Sequence, residues 1–143
     1  MILLDTNVVS EVRKSACDSN VAAWMTSQSA SELCISAITV LEIQRRISQL
    51  AQRGDSGQAT IFTRWLETMV LPAFSGRILS IDHEIARQAA LFPWPDSRDY
   101  RDALIAATAM MRGAAVATRN VRHFEPFGVR IINPWASSTQ PKA

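Results

Sequence analysis

Lysine, histidine and cysteine are scarce in this chain, and each scarcity narrows what it can do. The only lysines are Lys14 and Lys142, so the positive charge rests almost wholly on arginine. The only histidines are His83 and His123, which favours chemistry that needs no His or Lys base. Cys17 and Cys34 are too few and too scattered for a zinc site and leave room for one disulfide at most. No apolar run is long enough to cross a bilayer. The opening MILLD breaks its apolar run with an acid at Asp5, unlike a signal peptide or a spanning helix. The cytoplasm is the resulting expectation, with no membrane partner. There is no internal repeat and no linker-like stretch in the interior.

What remains describes an ordinary globular domain. The chain has 143 residues, 48% of them apolar and 20% charged, enough for one domain with a substantial core. Residues 1–135 read as that domain, and Ala136 to Ala143, rich in Ser, Thr, Gln and Pro, as a flexible tail. The formal charge is +2. Arginine presents a planar fork of donors that matches phosphate and carboxylate, a pointer towards nucleic acid or an acidic protein as partner.

Short apolar runs alternate with longer helical stretches. Ile2-Leu3-Leu4 reads as a buried strand, and Thr6 or Asn7 caps a short helix running through Arg13. Asp18 or Ser19 caps a second helix with Val21, Trp24 and Met25 on one face, and Leu33-Cys34-Ile35 reads as the second strand. A helix from about Ile38 to Arg53 carries Ile38, Leu41, Ile47 and Leu50 at helical spacing and ends at Gly54. Ser56 to Val70 predicts a further helix with Ile61, Trp65, Leu66 and Met69 apolar, stopped by Pro72. Arg77 to Ser80 is a third strand, and Asp82 caps a helix carrying Ile85, Ala89 and Leu91. Pro93-Trp94-Pro95 is a rigid connector in which Trp94 is an exposed candidate partner contact. A helix from about Arg98 to Arg112 has a face of small residues suited to lying close against a sheet, with Met110 and Met111 assigned to the core. Ala114 to Thr118 and Val129 to Ile132 complete five strands, the last two joined without a helix. Strands alternating with helices predict a three-layer α/β/α domain with a five-stranded, mainly parallel sheet.

In such folds ligands sit beyond the carboxyl ends of the strands. Asp5 follows the first strand, Glu42 lies about one turn beyond the second, and Asn120 follows the fourth. Asp102 joins them if its helix runs antiparallel to the strands. Carboxylates gathered in one place repel one another and raise their own pKa values unless a cation joins them. A hard divalent ion such as Mg²⁺ takes oxygen ligands and needs only one or two carboxylates. It lowers the pKa of a bound water and polarises a phosphoryl oxygen, so no His or Lys base is required.

Four segments, MILLDTNVVSE at the start, ISAITVLEI around Glu42, RDALIAATA around Asp102 and VATRNVRHF near the end, resemble the PIN-domain nucleases. The resemblance extends from Met1 to Trp135 and is strongest to the VapC and FitB toxins of bacterial toxin–antitoxin pairs. It implies a five-stranded parallel sheet, Mg²⁺ or Mn²⁺ dependence, endoribonuclease activity on an RNA substrate, a homodimer, and a cognate antitoxin as partner. By this match Asp5, Glu42 and Asp102 are the catalytic and metal-binding acids, and Thr118 is a hydroxyl residue near the metal. Many relatives read N-x-x-D-F where this chain has Asn120-Val121-Arg122-His123-Phe124, so a histidine stands at a usual acid. Asn120, His123 or Asp99, three residues before Asp102, are the candidates for that fourth place. Thr6 and Asn7 are supporting candidates, and Arg119 and Arg122 are candidate RNA contacts.

Each of these residues also has a purely structural reading. Asp is a favoured helix cap, although Thr6 or Asn7 can cap in place of Asp5. Thr39-x-x-Glu42 matches a capping box, although Ser36 offers a cap one turn earlier that frees Glu42. Asp102 in a first helical turn complements the macrodipole. Asp99 pairs readily with Arg98, Arg101 or Arg112, Asn120 suits a turn, and His123 suits packing beside Phe124. Arg119 and Arg122 contact phosphate or simply neutralise the acids. Trp24 and Trp65 sit on apolar helical faces as core or dimer residues.

Three rival functions bear weighing. A phosphoryl-receiver module also gathers acids around Mg²⁺, but it needs a late-strand Lys where this chain has Arg119. A structure-specific DNA-directed nuclease would need extra helical arches for which this length has no room. A catalytically silent PIN-like binding module is hinted at only by His123 in place of an acid.

Overall fold

A computed structural model describes residues 1–93 and 100–136. The expectations for Trp94, Pro95, Arg98 and Asp99, and for the tail beyond Ala136, lie outside the described residues. Five strands, β1 (Ile2–Leu4), β2 (Leu33–Ser36), β3 (Ile78–Leu79), β4 (Ala115–Ala117) and β5 (Ile131–Ile132), form one sheet in the order β3-β2-β1-β4-β5. Every pairing is parallel, with Ile2 opposite Leu33 on one side and Ala115 on the other. The chain builds outward from β1 in one direction through β2 and β3, then in the other through β4 and β5. The order therefore reverses between β1 and β4, and the crevice that this reversal opens lies at their carboxyl ends.

Period-two alternation sends successive strand residues into opposite layers. Leu3, Cys34 and Val116 join one core cluster, and Leu4, Leu33, Ile35 and Ala117 join the other. The second cluster packs under helices α1 (Thr6–Arg13), α2 (Ser19–Ser27), α3 (Ala37–Gln52) and α4 (Ser56–Trp65). The first packs under α6 (His83–Leu91), α7 (Tyr100–Arg112) and the short α8 (Val121–Phe124), the last of these contributing Phe124. Both faces of the sheet are thus covered by helices, as its short apolar strands require. No helix among the described residues is long and apolar enough to cross a membrane.

Several local expectations change. Asp5 itself is the cap of α1, its carboxylate accepting from Thr6 N–H, whereas Thr6 or Asn7 was expected there. Asp18 caps α2, with two backbone bonds, from Asn20 and Val21. The helix expected to stop at Pro72 passes instead through a π-helical turn at Leu66–Val70 into the three-residue α5 (Leu71–Ala73). Proline lacks the N–H of a normal helical bond and clashes with the carbonyl four residues back, and the wider turn just before it changes that spacing. The expected final β-β pair is separated by α8 and a 3₁₀ turn at Glu125–Phe127, which is how β5 comes to run parallel to β4. Leu41, Ile61, Met69, Leu91, Met110 and Met111 are exposed, while Ile43, Phe62 and Val70 take the buried positions nearby. Those six fit helical spacing only approximately, and each falls on the solvent side of its stripe.

Helix α7 runs back across the sheet into β4. Gly113 ends it in a left-handed conformation (φ 67°), with Gly113 N–H bonding Met110 O and Ala114 N–H bonding Ala109 O. Ala103, Ala106, Ala107 and Ala109 are fully buried against the sheet layer. With such short side chains there is no slack between helix and strands. Replacing Ala106 with Leu should therefore lower stability by about 1–3 kcal/mol, the cost of overpacking a filled core. Urea unfolding followed by circular dichroism measures it, and an unchanged midpoint would show that the layer has room.

Candidate active site at the carboxyl edge of the sheet

The reversal point collects polar side chains from four segments of the chain. Asp5 leaves β1 as a buried residue with 5% exposure. Its Oδ1 accepts from Thr6 N–H at 2.8 Å, and its Oδ2 accepts from Thr118 Oγ1 at 2.8 Å and from Asn7 Nδ2 at 3.3 Å. Thr118, fully buried at the end of β4, also accepts from Asn120 N–H at 3.0 Å and from Asn7 Nδ2 at 3.3 Å. That uses both the donor and the acceptor capacity of its hydroxyl. Asn7 Oδ1 accepts from Arg119 N–H at 3.3 Å. The ends of β1 and β4 are thus sewn together by side chains, and the Asp5 carboxylate is oriented by that seam.

Glu42 reaches the same place from the second turn of α3. The cap of that helix is Ser36, whose Oγ accepts from Ile38 N–H at 3.0 Å, so the capping-box reading of Glu42 does not hold. Thr39 is instead fully buried, its Oγ1 3.1 Å from Thr6 Oγ1. Thr6 Oγ1 donates to Glu42 Oε1 at 2.8 Å, and Arg101 Nη1 lies 3.6 Å from Glu42 Oε2. Asp102 enters from the first turn of α7, with its Oδ2 3.2 Å from His123 Nδ1 on α8. This is a hydrogen bond in the tautomer that carries its proton on Nδ1.

Asp5, Thr6, Asn7, Ser10, Glu42, Arg101, Asp102, Asn120 and His123 line one cavity of about 340 Å³. Of the expected residues, Thr118 lies behind Asp5 rather than in the cavity wall. Asn120 lines the wall and is the N-cap residue of α8, its carbonyl accepting from His123 N–H at 3.0 Å, without a side-chain cap bond. His123 is exposed and faces Asp102, while the packing role expected of it belongs to Phe124, which is fully buried. Arg119 and Arg122 are outside the cavity wall, and the Arg119 guanidinium stands over the Trp135 ring at 5.3 Å. Asp99 lies outside the described residues. Ser10 escaped the sequence reading, and Arg101 entered it only as a partner for Asp99. Ser10 could have been found from its place one helical turn beyond Thr6 and Asn7, whereas nothing local marks Arg101 off from the other arginines.

The electrostatics are those of an acid cluster. The Glu42 carboxyl is raised above its ordinary value, first by burial and then by the charges of Asp5 and Asp102, against the lowering effects of the Thr6 hydrogen bond and Arg101. The wall offers carboxylate, hydroxyl and amide oxygens, the donor set of a hard divalent ion. Among the described residues no three His, Cys, Asp or Glu side chains close into a ready cage. By its oxygen donors alone the wall suits a hard ion such as Mg²⁺, which needs only one or two carboxylates and keeps several of its waters.

A family model for the PIN domain matches residues 2–126. The chain belongs to the PIN-domain family. Its curated relatives include the VapC ribonuclease Y4jK of Sinorhizobium fredii, 41% identical over 140 residues that cover 94% of this chain and 98% of the relative. The toxin FitB of Neisseria gonorrhoeae is 34% identical and matches 94% of this chain and 99% of its own length. Among solved structures, FitAcB from Neisseria gonorrhoeae aligns with a TM-score of 0.83 at 34% identity, covering 94% of this chain and 99% of that one. FitAB bound to an IR36 DNA fragment aligns at 0.85 and 32% identity, covering 99% of this chain and all of that one. This PIN domain is therefore of the VapC/FitB type, and its all-parallel α/β/α architecture is the one expected.

The raised carboxyl has a measurable consequence for the PIN domain free of divalent ions. Folded Glu42 holds its proton to higher pH than unfolded Glu42, so the folded state binds more protons in the window above the ordinary glutamate value of 4.5. Stability contributed by this group is present below that value and lost as pH rises through the raised one. Glu42→Gln removes the loss. In EDTA, thermal unfolding from pH 4 to 8 should show the variant gaining on the parent as pH rises; parallel curves would contradict the assigned burial.

Proposed function

We propose that this chain is the toxin of a toxin–antitoxin pair and hydrolyses RNA phosphodiester bonds with a divalent ion, Mg²⁺ or alternatively Mn²⁺. The observation that carries the reading is the convergence of Asp5, Glu42 and Asp102 on one cavity from three distant segments. The ribonuclease name of the relative at 41% identity supports RNA as the substrate. The FitAcB and FitAB complexes support a cognate antitoxin as the partner. We assign residues 1–135 to the nuclease domain and 136–143 to a tail, in a cytoplasmic homodimer.

Asp5 and Asp102 would hold the ion directly, and Glu42 would hold it or orient its water. When bound, the ion supplies a polarised phosphoryl oxygen and a more acidic water. Thr118, Asn7 and the Thr6 N–H hold Asp5 in one orientation, so little reorganisation is needed on binding. Glu42 is held at Oε1 by Thr6, so its Oε2 would be the oxygen that holds the ion or orients its water. Asn120 and His123 occupy the wall where a fourth acid would stand, and His123 Nδ1 faces Asp102.

Asp5→Asn keeps the shape of the side chain and removes its charge. With total RNA and Mg²⁺ or Mn²⁺, cleavage by this variant should fall about a hundredfold or more, the scale of losing a main electrostatic group in an active site. Excess EDTA should silence the parent. Parallel digestion of single-stranded RNA, single-stranded DNA and duplex DNA decides the substrate. Cleavage of DNA alone would establish a DNA-directed nuclease, and divalent binding without cleavage a silent binding module. Undiminished RNA cleavage by Asp5→Asn would sink the assignment of the site.

A further inference from the structure

We propose that Arg101 seats the scissile phosphate and, before substrate and metal arrive, serves as the placeholder cation of the acid site. The inference rests on the nuclease reading above and adds a residue to it. Among the described residues, Arg101 is the only arginine in the cavity wall. The two arginines that sequence pattern offers for RNA contact stand outside it, one of them held over Trp135.

On this proposal Arg101 has two roles at one place. In this structure its Nη1 is 3.6 Å from Glu42 Oε2, a charge contact longer than a hydrogen bond. Glu42 is held at its other oxygen by Thr6. The contact also works against the burial and acid neighbours that disfavour the Glu42 charge. With a divalent ion held by Asp5, Glu42 and Asp102, that neutralisation would no longer fall to Arg101, and the like charges would favour turning the guanidinium towards solvent. The Arg101 side chain is 41% exposed and sits on the first turn of α7, so part of it already faces solvent. There a phosphodiester meets a planar fork of donors matched to its two non-bridging oxygens, beside the carboxylates that hold the metal. A lysine would supply the charge without the fork.

Two measurements test this on the full chain. Calorimetric titration with Mn²⁺ in the absence of RNA reads the placeholder role. Arg101→Gln should bind Mn²⁺ about threefold or more tightly, because a like charge a few ångströms away is gone. An arginine that merely supported the site would give weaker binding on removal. Cleavage kinetics on a labelled single-stranded RNA read the phosphate role. Arg101→Gln should lose about ten- to a hundredfold in kcat/KM, the scale of a charge-assisted hydrogen bond, with KM raised and Arg101→Lys recovering part. Unchanged or weaker Mn²⁺ binding overturns the placeholder role, and parental kcat/KM in Arg101→Gln overturns the phosphate role. A parent that neither binds Mn²⁺ nor cleaves RNA rejects the nuclease reading itself, and this assignment with it.

Discussion

Carboxylates in one half-buried cavity repel, and the architecture around Asp5, Glu42 and Asp102 is arranged so that each is held despite that repulsion. Asp5 is fixed by a buried hydroxyl, an amide and a backbone N–H. Glu42 is fixed by Thr6 on one oxygen and faces Arg101 on the other. Asp102 is met by the His123 ring. These partners come from α1, α7, α8 and the end of β4, so the site exists only when β1 and β4 are neighbours. The sheet order supplies that adjacency, and the seam of Asn7, Thr118 and Asp5 locks it. Fold and candidate site are one constraint viewed from two sides.

Strands and layers were legible in the sequence because burial on both faces forces short continuous apolar runs, and Leu3-Leu4 and Ala115-Val116-Ala117 are buried in just that way. Helix interiors were less legible. Leu41 and Met69 satisfy a helical period within its tolerance, yet a 20° drift per heptad is enough to turn an apolar side chain to solvent. The passage through Pro72 was illegible for another reason. A π-turn is selected by packing of Leu66 and Val70 into the core, which no local pattern near proline announces. The small helix before β5 was missed because four residues are too few to show a period.

For the site, the acids were legible by type and spacing, since residues just past strand ends must face the carboxyl edge. Their partners were not. Thr39 reads as a cap in sequence because the Ser/Thr-x-x-Glu pattern is local, whereas its hydroxyl sits beside Thr6 from a helix 33 residues away. Arg101 reads as one more surface arginine because the chain does not reveal which side of α7 is opposite Glu42. Long-range hydrogen bonds depend on how α1, α3 and α7 meet, and that is decided by core volume rather than by any residue within reach along the chain.

The histidine at position 123 stands where the resemblance leads one to expect an acid, and it meets Asp102 through Nδ1. A carboxylate there would add one more charge to a cavity in which burial and the neighbouring acids already disfavour the Glu42 anion. An imidazole adds none when neutral and offers Nδ1–H to Asp102. The first acid is oriented by Thr118 and Asn7, and the third by His123, so every carboxylate in the wall has a partner on a different element. A site of this kind relies less on the number of acids than on their orientation. Fewer charges to desolvate and more hydrogen bonds to aim them would reach the same end: oxygens already oriented for the cation that the proposed function requires.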